Sequence, residues 1–482
     1  MLKRSTIFSL LLFFVFVVST ETMRASGFTI LELGARGAGM GGAFVAIADD
    51  GSALFYNPAG IAFQKGLRVE MDGFLVKGFF HFFPSIVPRG TIVPNDGYSG
   101  NVSPKFQILS NLFISKDLTS KWTLGFGVYS PFGLGDNWTN FKDSDPTATK
   151  FVGRFAGTRG RLENVWFQPT IAYRLGDNSS VAVGPAIVYT HIMLEQSILN
   201  PLEEGLVFGR QIAPLIFPNQ DPALAARSIA RLLPEGRSRI AGIAFAPGVT
   251  AGYMYKHTQS KTNFGVMWRS PVTYHVEGKA SFAFTSDYPL KAFIGADTIP
   301  NLFPAQDAKA SFTTPGTFVV GVANSSFWNS TIAFDFLFQN YKRFKDIPLN
   351  FTKTVGTATP AEQRFVFNFK NTYFLRAGIE KHLSTKTIVR GGWYFDKTSL
   401  DDKAVGPFFP DESKHVFTVG ASRQFGNKEF SVFYQGAKGL HRTTNVPENA
   451  NLFTNGEYRN FIHLIGFGLR IHVGGTTVEV PR

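Results

Sequence analysis

The chain has 482 residues, contains no cysteine and carries a formal net charge of +13. Without cysteine, a disulfide-stapled fold and thiolate chemistry are both excluded. A basic chain often binds nucleic acid, but no basic cluster with interleaved aromatic residues occurs here. The charge therefore fits basic loops beside an anionic membrane surface better than a nucleic-acid partner.

The N-terminus has the order of regions found in a secretory signal peptide. Lys3 and Arg4 precede a nearly unbroken apolar run over residues 5–18, and small and polar residues follow up to Ala25. The run is short for a helix that spans a bilayer, although an N-terminal anchor helix is the alternative. We predict a signal peptide over residues 1–25 and an exported protein.

The rest of the chain combines many aromatic residues with a lack of long apolar runs. Aromatic residues make up 15% of the sequence, and 51 residues are phenylalanine. No later run of about twenty apolar residues exists, so no transmembrane helix is available. The remaining classes are a soluble β protein and a transmembrane barrel, which satisfies its backbone hydrogen bonds in lipid by closing on itself.

Fourteen strand-like segments follow one another, separated by turn-forming residues. They are residues 67–80, 104–115, 122–129, 159–175, 181–194, 240–256, 262–279, 309–324, 331–340, 364–383, 388–394, 415–425, 430–437 and 461–472. In the third, Trp122, Leu124, Phe126 and Val128 occupy alternate positions and so share one face. Both faces of residues 240–249 are apolar, which predicts a lumen less polar than that of a water-filled porin.

The connections between these segments alternate in length. Six short turns, such as residues 116–121, interleave with seven long loops, such as residues 195–239. This rhythm is typical of an outer-membrane barrel with short periplasmic turns and long extracellular loops. We therefore predict an all-β fold, a transmembrane antiparallel barrel of about 14 strands that occupies residues 65–482. A soluble sandwich, the alternative, has no reason to alternate so regularly.

Residues 26–64 lie between the signal peptide and the first strand. They are rich in Gly and Ala, and Asp49, Asp50, Asn57 and Pro58 provide turn signals. The segment is too short for a separate domain. A barrel of this width leaks unless something fills its lumen, so we predict that the segment folds into the barrel as a plug.

The long loop at residues 195–239 contains one segment with helical spacing. Residues 221–233 carry apolar side chains about every third or fourth position, and Pro222 follows Asp221 as at a helix start. One interpretation is a helix that caps the barrel mouth. The other is a hydrophobic landing surface for substrate, formed with Phe208, Ile212, Leu215, Ile216 and Phe217.

Several motifs resemble those of the long-chain fatty acid outer-membrane transporters, the FadL family, which includes transporters of the toluene type. The N-terminal ones are SGF at 26–28, AIADD at 46–50 and NPA at 57–59, which resemble the family's N-terminal hatch. Further similar segments are YSPFGLG at 129–135, residues 153–175, WRSPVTYHVEG at 268–278, TTPGTFVVG at 313–321, NYKRFKD at 340–346 and VGASRQF at 419–425. The resemblance spans nearly the whole mature chain, although residues 474–482 follow the last strand where a terminal aromatic residue is expected.

The resemblance implies a monomer that lies in outer-membrane lipid and takes up hydrophobic small molecules, either long-chain fatty acids or aromatic hydrocarbons, without a cofactor. Substrates would bind an outer groove, pass a hatch that includes Asp49, Asp50, Asn57, Pro58 and Ala59, and leave through the barrel wall. The lateral opening would lie near Ser130, Pro131 and Gly133, because proline cannot donate to a sheet ladder. An ordinary strand end is the alternative explanation of Pro131.

The class of substrate depends on whether the barrel offers a cation to bind a carboxylate. A fatty acid needs an apolar tunnel and a cation for its carboxylate, and we identify Arg159 and then Arg154 as candidates. Pairing of Arg159 with an acidic residue such as Glu163 is the alternative. An aromatic hydrocarbon would need no cation.

Two other functions remain open. The long loops would also suit a surface-interaction barrel, such as an adhesin or a receptor. A lipase-type barrel enzyme is disfavoured, because no HExxH, GxSxG, P-loop or Cys/His metal pattern occurs. We predict neither catalytic residues nor a metal site.

Overall fold

The computed structural model describes residues 28–30, 33–85, 100–102, 107–138, 152–199, 209–210, 213–214, 216–230, 232–284, 288–344, 346–353, 362–446 and 454–473. The predicted signal peptide lies outside these ranges. So do Phe208, Ile212 and Leu215 of the predicted landing surface.

A fourteen-stranded antiparallel sheet makes up most of the described part of the chain. The strands are β1 (Leu67–Pro84), β2 (Gln107–Asp117), β3 (Trp122–Asn137), β4 (Arg159–Arg174), β5 (Ser179–Ile198), β6 (Gly236–His257), β7 (Thr262–Arg269 and Val272–Phe284), β8 (Gln306–Thr314 and Thr317–Phe327), β9 (Ser330–Gln339 and Asp346–Phe351), β10 (Glu362–Val366 and Thr372–His382), β11 (Thr387–Asp396), β12 (Lys414–Phe425), β13 (Lys428–Gly439) and β14 (Gly456–Val473). Two further short strands pair with strand ends in the barrel: Gly100–Asn101 with β1, and Arg442–Thr444 with β14.

The sheet closes into a barrel because β1 pairs with β14 along its whole length, from Leu67↔Val473 to Pro84↔Gly456. Prolines explain two of the breaks within strands. Pro271 interrupts β7 and Pro315 interrupts β8, since neither can donate a ladder hydrogen bond. The predicted fold class, strand number and alternation of short turns and long loops are confirmed. Several strands extend further towards the long loops than predicted, because backbone pairing continues past the apolar segments.

Side chains alternate between the two faces of the barrel wall. In β3, Trp122, Leu124 and Phe126 are exposed on the outside, whereas Thr123, Gly127 and Tyr129 face inwards. The same pattern in neighbouring strands places aromatic and aliphatic groups around the outer surface. An apolar outer band is what a barrel needs to lie in lipid.

Short helices lie in the connections and in the N-terminal segment. They are α1 (Ala35–Gly39), α2 (Ala53–Tyr56), α3 (Pro222–Ala230), α4 (Lys291–Ile294) and α5 (Thr298–Asn301), with 3₁₀ turns at Pro58–Phe63, Val152–Phe155, Tyr341–Arg343 and Asp402–Ala404. The helix predicted in residues 221–233 is thus present, and the Asp221 carboxylate caps it by accepting from the amides of Ala223 and Leu224. Within the described ranges, no helix is long and apolar enough to cross a membrane.

The N-terminal segment, residues 28–30 and 33–64, lies within the ring of strands. It contacts inward-facing residues of β1, β4, β5, β9, β10 and β12. Almost all of its residues are buried. The core of the molecule is therefore the interface between this segment and the inner wall of the barrel.

Candidate functional site

The Asn-Pro-Ala turn fixes one side of the N-terminal segment to the wall. The Asn57 Nδ2 atom donates to the carbonyl oxygens of Val45 and of Tyr253 in β6, each at 3.0 Å. Its Oδ1 atom accepts from the amide of Ala59, whose carbonyl accepts from the Ser180 hydroxyl at 2.8 Å. One buried side chain thus holds two parts of the segment against β6.

Ion pairs hold the opposite side. Arg36 forms a bidentate pair with Glu380 of β10, with both N···O distances 2.7 Å, and also pairs with Asp49. Burial alone would lower the pKa of Arg36, but Asp49 and Glu380 raise it well above its ordinary value. Asp50 pairs with Arg470 of β14 at 3.1 Å. The AIADD motif is therefore an electrostatic anchor between the segment and the wall.

Glycines in the wall allow the backbone of the segment to approach closely. A Cβ atom on Gly265 of β7 would overlap the carbonyl of Val45, and one on Gly378 of β10 would overlap the carbonyl of Met40. Only glycine leaves room for backbone at these two positions. The inner wall is thus shaped to receive the segment.

The wall is interrupted where the sequence predicted an opening. Tyr129 pairs with Trp166 and Phe132 with Asn164, so Ser130 and Pro131 together oppose one residue of β4. This is a β-bulge. On the other side of β3, the described ladder with β2 ends at Leu112↔Val128, although both strands continue beyond that point.

The first described residues of the chain occupy this interruption. The Ile30 amide donates to the Pro131 carbonyl at 2.8 Å, and the Gly133 amide donates to the Phe28 carbonyl at 2.7 Å. Thr29 forms an isolated bridge with Phe132. The end of the N-terminal segment therefore replaces part of the missing ladder, from the inside of the barrel.

A small cavity of about 10 Å³, room for one water-sized group, lies beside this contact. Its walls come from the N-terminal segment (Thr29, Ile30, Val45, Phe55, Tyr56), from the bulge (Pro131, Phe132) and from β7 to β10 (Met267, Arg269, Thr317, Val319, Leu337, Gln339, Arg376). The lining is mainly apolar. The cavity thus joins the N-terminal segment to the interruption in the wall.

An aromatic cluster lies around Phe28 at the end of the segment. Its ring centroid is 4.8–6.2 Å from those of Phe132, Tyr341, Phe344, Phe369 and Phe409. The Tyr341 hydroxyl also contacts the Thr29 hydroxyl at 2.6 Å. Burial of this ring among five others holds the end of the segment in place.

The two arginines selected from the sequence lie elsewhere. Arg159 begins β4 and pairs through its backbone with Asn137 and Glu195. Arg154 is buried in the preceding loop, where its Nε atom binds Glu235 Oε1 at 2.8 Å. Neither arginine lines the cavity, and their role as carboxylate ligands stays a prediction.

Part of the predicted landing surface is described. Ile216 and Phe217 pack against a small hydrophobic cluster that joins two of the long loops. The buried members of this cluster are Ile198, Leu199, Ala213, Ala225, Ile229, Tyr288, Leu290, Ile299 and Phe303. The loop carrying α3 therefore rests on the loop carrying α4 and α5.

Sequence reasoning missed Arg269 and Arg376, which both line the cavity. A signal was present, because Arg269 and Arg376 stand among apolar residues in segments with strand periodicity. A charged side chain in a predicted barrel strand is expected to face the lumen, because the outer face of the strand lies against lipid. The sequence alone did not show that the two strands would place both arginines in the lining of one cavity.

The closed barrel, its apolar outer band and the cavity at the wall interruption define the class of outer-membrane transport barrels. Comparisons with known proteins agree. The sequence model of the outer membrane protein transport protein family (OMPP1/FadL/TodX) matches residues 15–437. The chain belongs to this family, and its location is the outer membrane.

Relatives and solved structures support the same assignment. A Neisseria meningitidis serogroup B protein, named as an outer membrane protein, is 23% identical over 85% of this chain and 84% of its own length. The structure of a Pseudomonas aeruginosa FadL homologue has a TM-score of 0.72 at 16% identity, over 92% of this chain and 99% of that one. The Pseudomonas putida toluene transporter TodX has a TM-score of 0.68 at 16% identity, over 92% and 100%. These structures show a shared fold.

Proposed function

We propose that this protein is a passive channel for the uptake of hydrophobic compounds, either long-chain fatty acids or aromatic hydrocarbons. The observation that carries the proposal is the interruption of the wall at Ser130 and Pro131, next to a mainly apolar cavity. The cavity is lined by Pro131 and Phe132 of the bulge, so a hydrophobic molecule that widened it would lie beside the interrupted wall. It could leave sideways without entering water, which a hydrophobe avoids.

Capture begins at the long loops. The loops that the small hydrophobic cluster joins also carry exposed apolar side chains, since Leu224 is 63% and Phe293 is 70% exposed. A contiguous group of exposed apolar side chains would mark a binding surface. This favours the landing-surface interpretation of the loop at residues 195–239.

The N-terminal segment acts as the hatch. It fills the lumen, and its end covers the interruption through Phe28, Thr29 and Ile30. Withdrawal of these three residues from Pro131 would open a path from the cavity to the bulge. We therefore propose the division into a signal peptide (1–25), a hatch (26–64) and a barrel (65–482).

The names of the structural neighbours fit this proposal. One is a toluene transporter and another a FadL homologue, and the family comprises transport proteins. We propose on this basis that the chain catalyses no reaction, and we also propose that it acts as a monomer.

Deletion of Pro131 tests lateral release. Removal of one bulge residue lets β3 and β4 pair in continuous register, which we expect to remove the bend that separates β3 from β2 beyond Leu112↔Val128. The matched control is Pro131→Ala, which keeps the residue count and hence the bulge. Both variants are expressed in a transporter-deleted Gram-negative strain, and uptake of a labelled long-chain fatty acid and of toluene is measured.

Lateral release predicts that the deletion abolishes uptake while Pro131→Ala retains it, with both variants assembled in the outer membrane. Equal uptake by the deletion and the control would contradict the lateral path. Failure of the unmodified protein to take up either compound would favour a surface-interaction role instead. A variant with Asn57→Ala and Pro58→Ala tests the hatch in the same assay, and it should lose uptake.

A further inference from the structure

Four exposed cations, here called the rim cations, lie close together at the short-turn end of the barrel. They are Lys381 of β10, Lys386 in the turn that follows it, Arg423 of β12 and Lys428 of β13. Their strands are neighbours, since β10 pairs with β11, β11 with β12 and β12 with β13. Adjacent strands lie about 4.8 Å apart, so the four positions share an arc of roughly 14 Å along one edge of the wall.

No acidic side chain balances the rim cations within the part of the chain that the structure describes. Two acidic residues are adjacent to them in sequence, Glu380 and Glu429, but both are buried on the lumen side and pair with buried arginines. Cations near the long loops differ, because Lys309 pairs with Glu277 at 3.1 Å. The short-turn end therefore presents a patch of uncompensated positive charge on the outer surface.

Backbone hydrogen bonds hold the turns that carry the rim cations in a fixed arrangement. The Gln424 amide donates to the Lys386 carbonyl at 2.8 Å, which ties the turn after β10 to the end of β12. The His382 amide donates to the Asn329 carbonyl at 3.0 Å, which ties β10 to the turn between β8 and β9. The spacing of the cations is thus set by the sheet and not by long loops.

The rim cations begin where the apolar outer band of the barrel ends. Lys381 lies two positions after the exposed Ile379 on the outer face of β10, and Lys428 lies two positions before the exposed Phe430 on β13. Long basic side chains at such a border keep their stems on apolar surface and their charges among headgroups. Because the short turns of an outer-membrane barrel face the periplasm, these headgroups belong to the periplasmic leaflet.

Exposed apolar residues at the turn tips indicate the same kind of surface. Trp328 is 88% exposed in the turn between β8 and β9, although its φ of +42° is one that bulky residues rarely adopt. Leu383 and Phe425, beside the rim cations, are each 59% exposed. Tryptophan is enriched at the membrane–water interface, where its ring lies at the level of the headgroups. Cations interleaved with exposed apolar tips fit a lipid surface better than an acidic protein.

We propose that Lys381, Lys386, Arg423 and Lys428 bind the phosphodiester headgroups of anionic phospholipids in the periplasmic leaflet of the outer membrane. A phosphodiester carries a negative charge and acceptor oxygens, which suit ammonium and guanidinium donors. One cation beside an anionic lipid surface contributes about fivefold in affinity. The inference concerns the lipid around the barrel, so it does not depend on transport.

Binding of phosphatidylglycerol and phosphatidylcholine with the same acyl chains tests the inference, because the two lipids differ in net charge. Native mass spectrometry of the full chain, released from detergent micelles, gives the dissociation constant of each lipid. The rim variant combines Lys386→Gln and Arg423→Gln. The matched control combines Lys279→Gln and Lys438→Gln, which remove the same charge from exposed positions on strand ends near the long loops.

The inference predicts that the unmodified protein and the control bind phosphatidylglycerol at least about 25-fold more tightly than phosphatidylcholine. The rim variant should weaken phosphatidylglycerol binding by about 25-fold, or about fivefold for each cation removed, and leave phosphatidylcholine binding unchanged. Equal affinity for both lipids in the unmodified protein would overturn the inference even if the rim variant did not assemble, and so would an equal loss in the control. Displacement of the lipid by glycerol phosphate at a similar concentration would reduce the patch to a site for free phosphate and overturn the lipid assignment.

Discussion

At the scale of single residues, buried charges decide how the N-terminal segment is held. Glu380 is buried, the side chain of Arg36 is only 11% exposed, and each has several partners. Removal of one partner from such a pair leaves a buried charge without compensation, which costs about 3–5 kcal/mol. Exposed pairs contribute far less, because water screens them.

Substitution of Glu380 should therefore loosen the segment. Glu380→Gln leaves Arg36 and Arg390 short of a carboxylate, and we expect more frequent channel openings in planar-bilayer recordings. The matched control is Glu277→Gln, whose partner Lys309 lies at 3.1 Å with both side chains mostly exposed. Equal opening frequencies in the two variants would show that the ion pairs do not hold the segment.

A second prediction at this scale concerns pH. Glu412 lies between β11 and β12, and burial raises the pKa of its carboxyl to about 7, with Lys414 acting in the opposite direction. In the unfolded chain the carboxyl titrates near pH ~4.3. Because the folded-state pKa is the higher one, this carboxyl's contribution to stability is present below the unfolded pKa and is lost as pH rises towards 7.

Glu412→Gln should remove that loss, since glutamine keeps the oxygen that accepts from the Asn460 amide at 2.8 Å. Hydrogen exchange of the first residues of β14, corrected for intrinsic rates, should speed up several-fold between pH 5 and pH 8 in the unmodified protein. The variant should exchange equally at both values. A pH dependence that persists in the variant would assign the effect to another group.

At the scale of elements, close packing between the segment and the strands requires glycine at defined positions. Gly265 contacts the Val45 backbone directly, whereas Gly73 of β1 has no atom near its missing Cβ. Overpacking of a filled interface costs about 1–3 kcal/mol. Gly265→Ala should therefore expose Arg36 to trypsin, and Gly73→Ala should not. Resistance to trypsin in both variants would indicate that the wall yields to the added methyl group.

The elements themselves could be predicted from the sequence because their signals are local. Alternation in residues 122–128 and the short turn predicted at 116–121 need only neighbouring residues. The same holds for α3, whose Asp221 cap and helical spacing lie within one loop. The cavity could not be predicted, because Arg269 and Arg376 come from β7 and β10 and share a space only after the barrel has closed.

At the scale of the whole molecule, the apolar loop residues, the cavity and the bulge follow one another along the proposed path from the loops to the wall. Apolar loop residues lie at one end, the cavity lies beside the segment, and the bulge lies next to the cavity. In the proposed path, every step would be a binding equilibrium of a hydrophobic ligand with the protein. No step in it requires an external source of energy.

Uptake should therefore persist when the proton-motive force is collapsed. A fluorescent fatty-acid-binding protein exported to the periplasm reports arrival of the ligand without any need for its metabolism. With a protonophore present, the initial rate should stay within about twofold of the untreated rate and should rise with the external concentration until the outer surface saturates. Cells with the Pro131 deletion supply the background rate. If the protonophore lowered the rate of the unmodified protein to that background, passage would be energy-coupled, and the hatch would have to be moved by a partner rather than by its ligand.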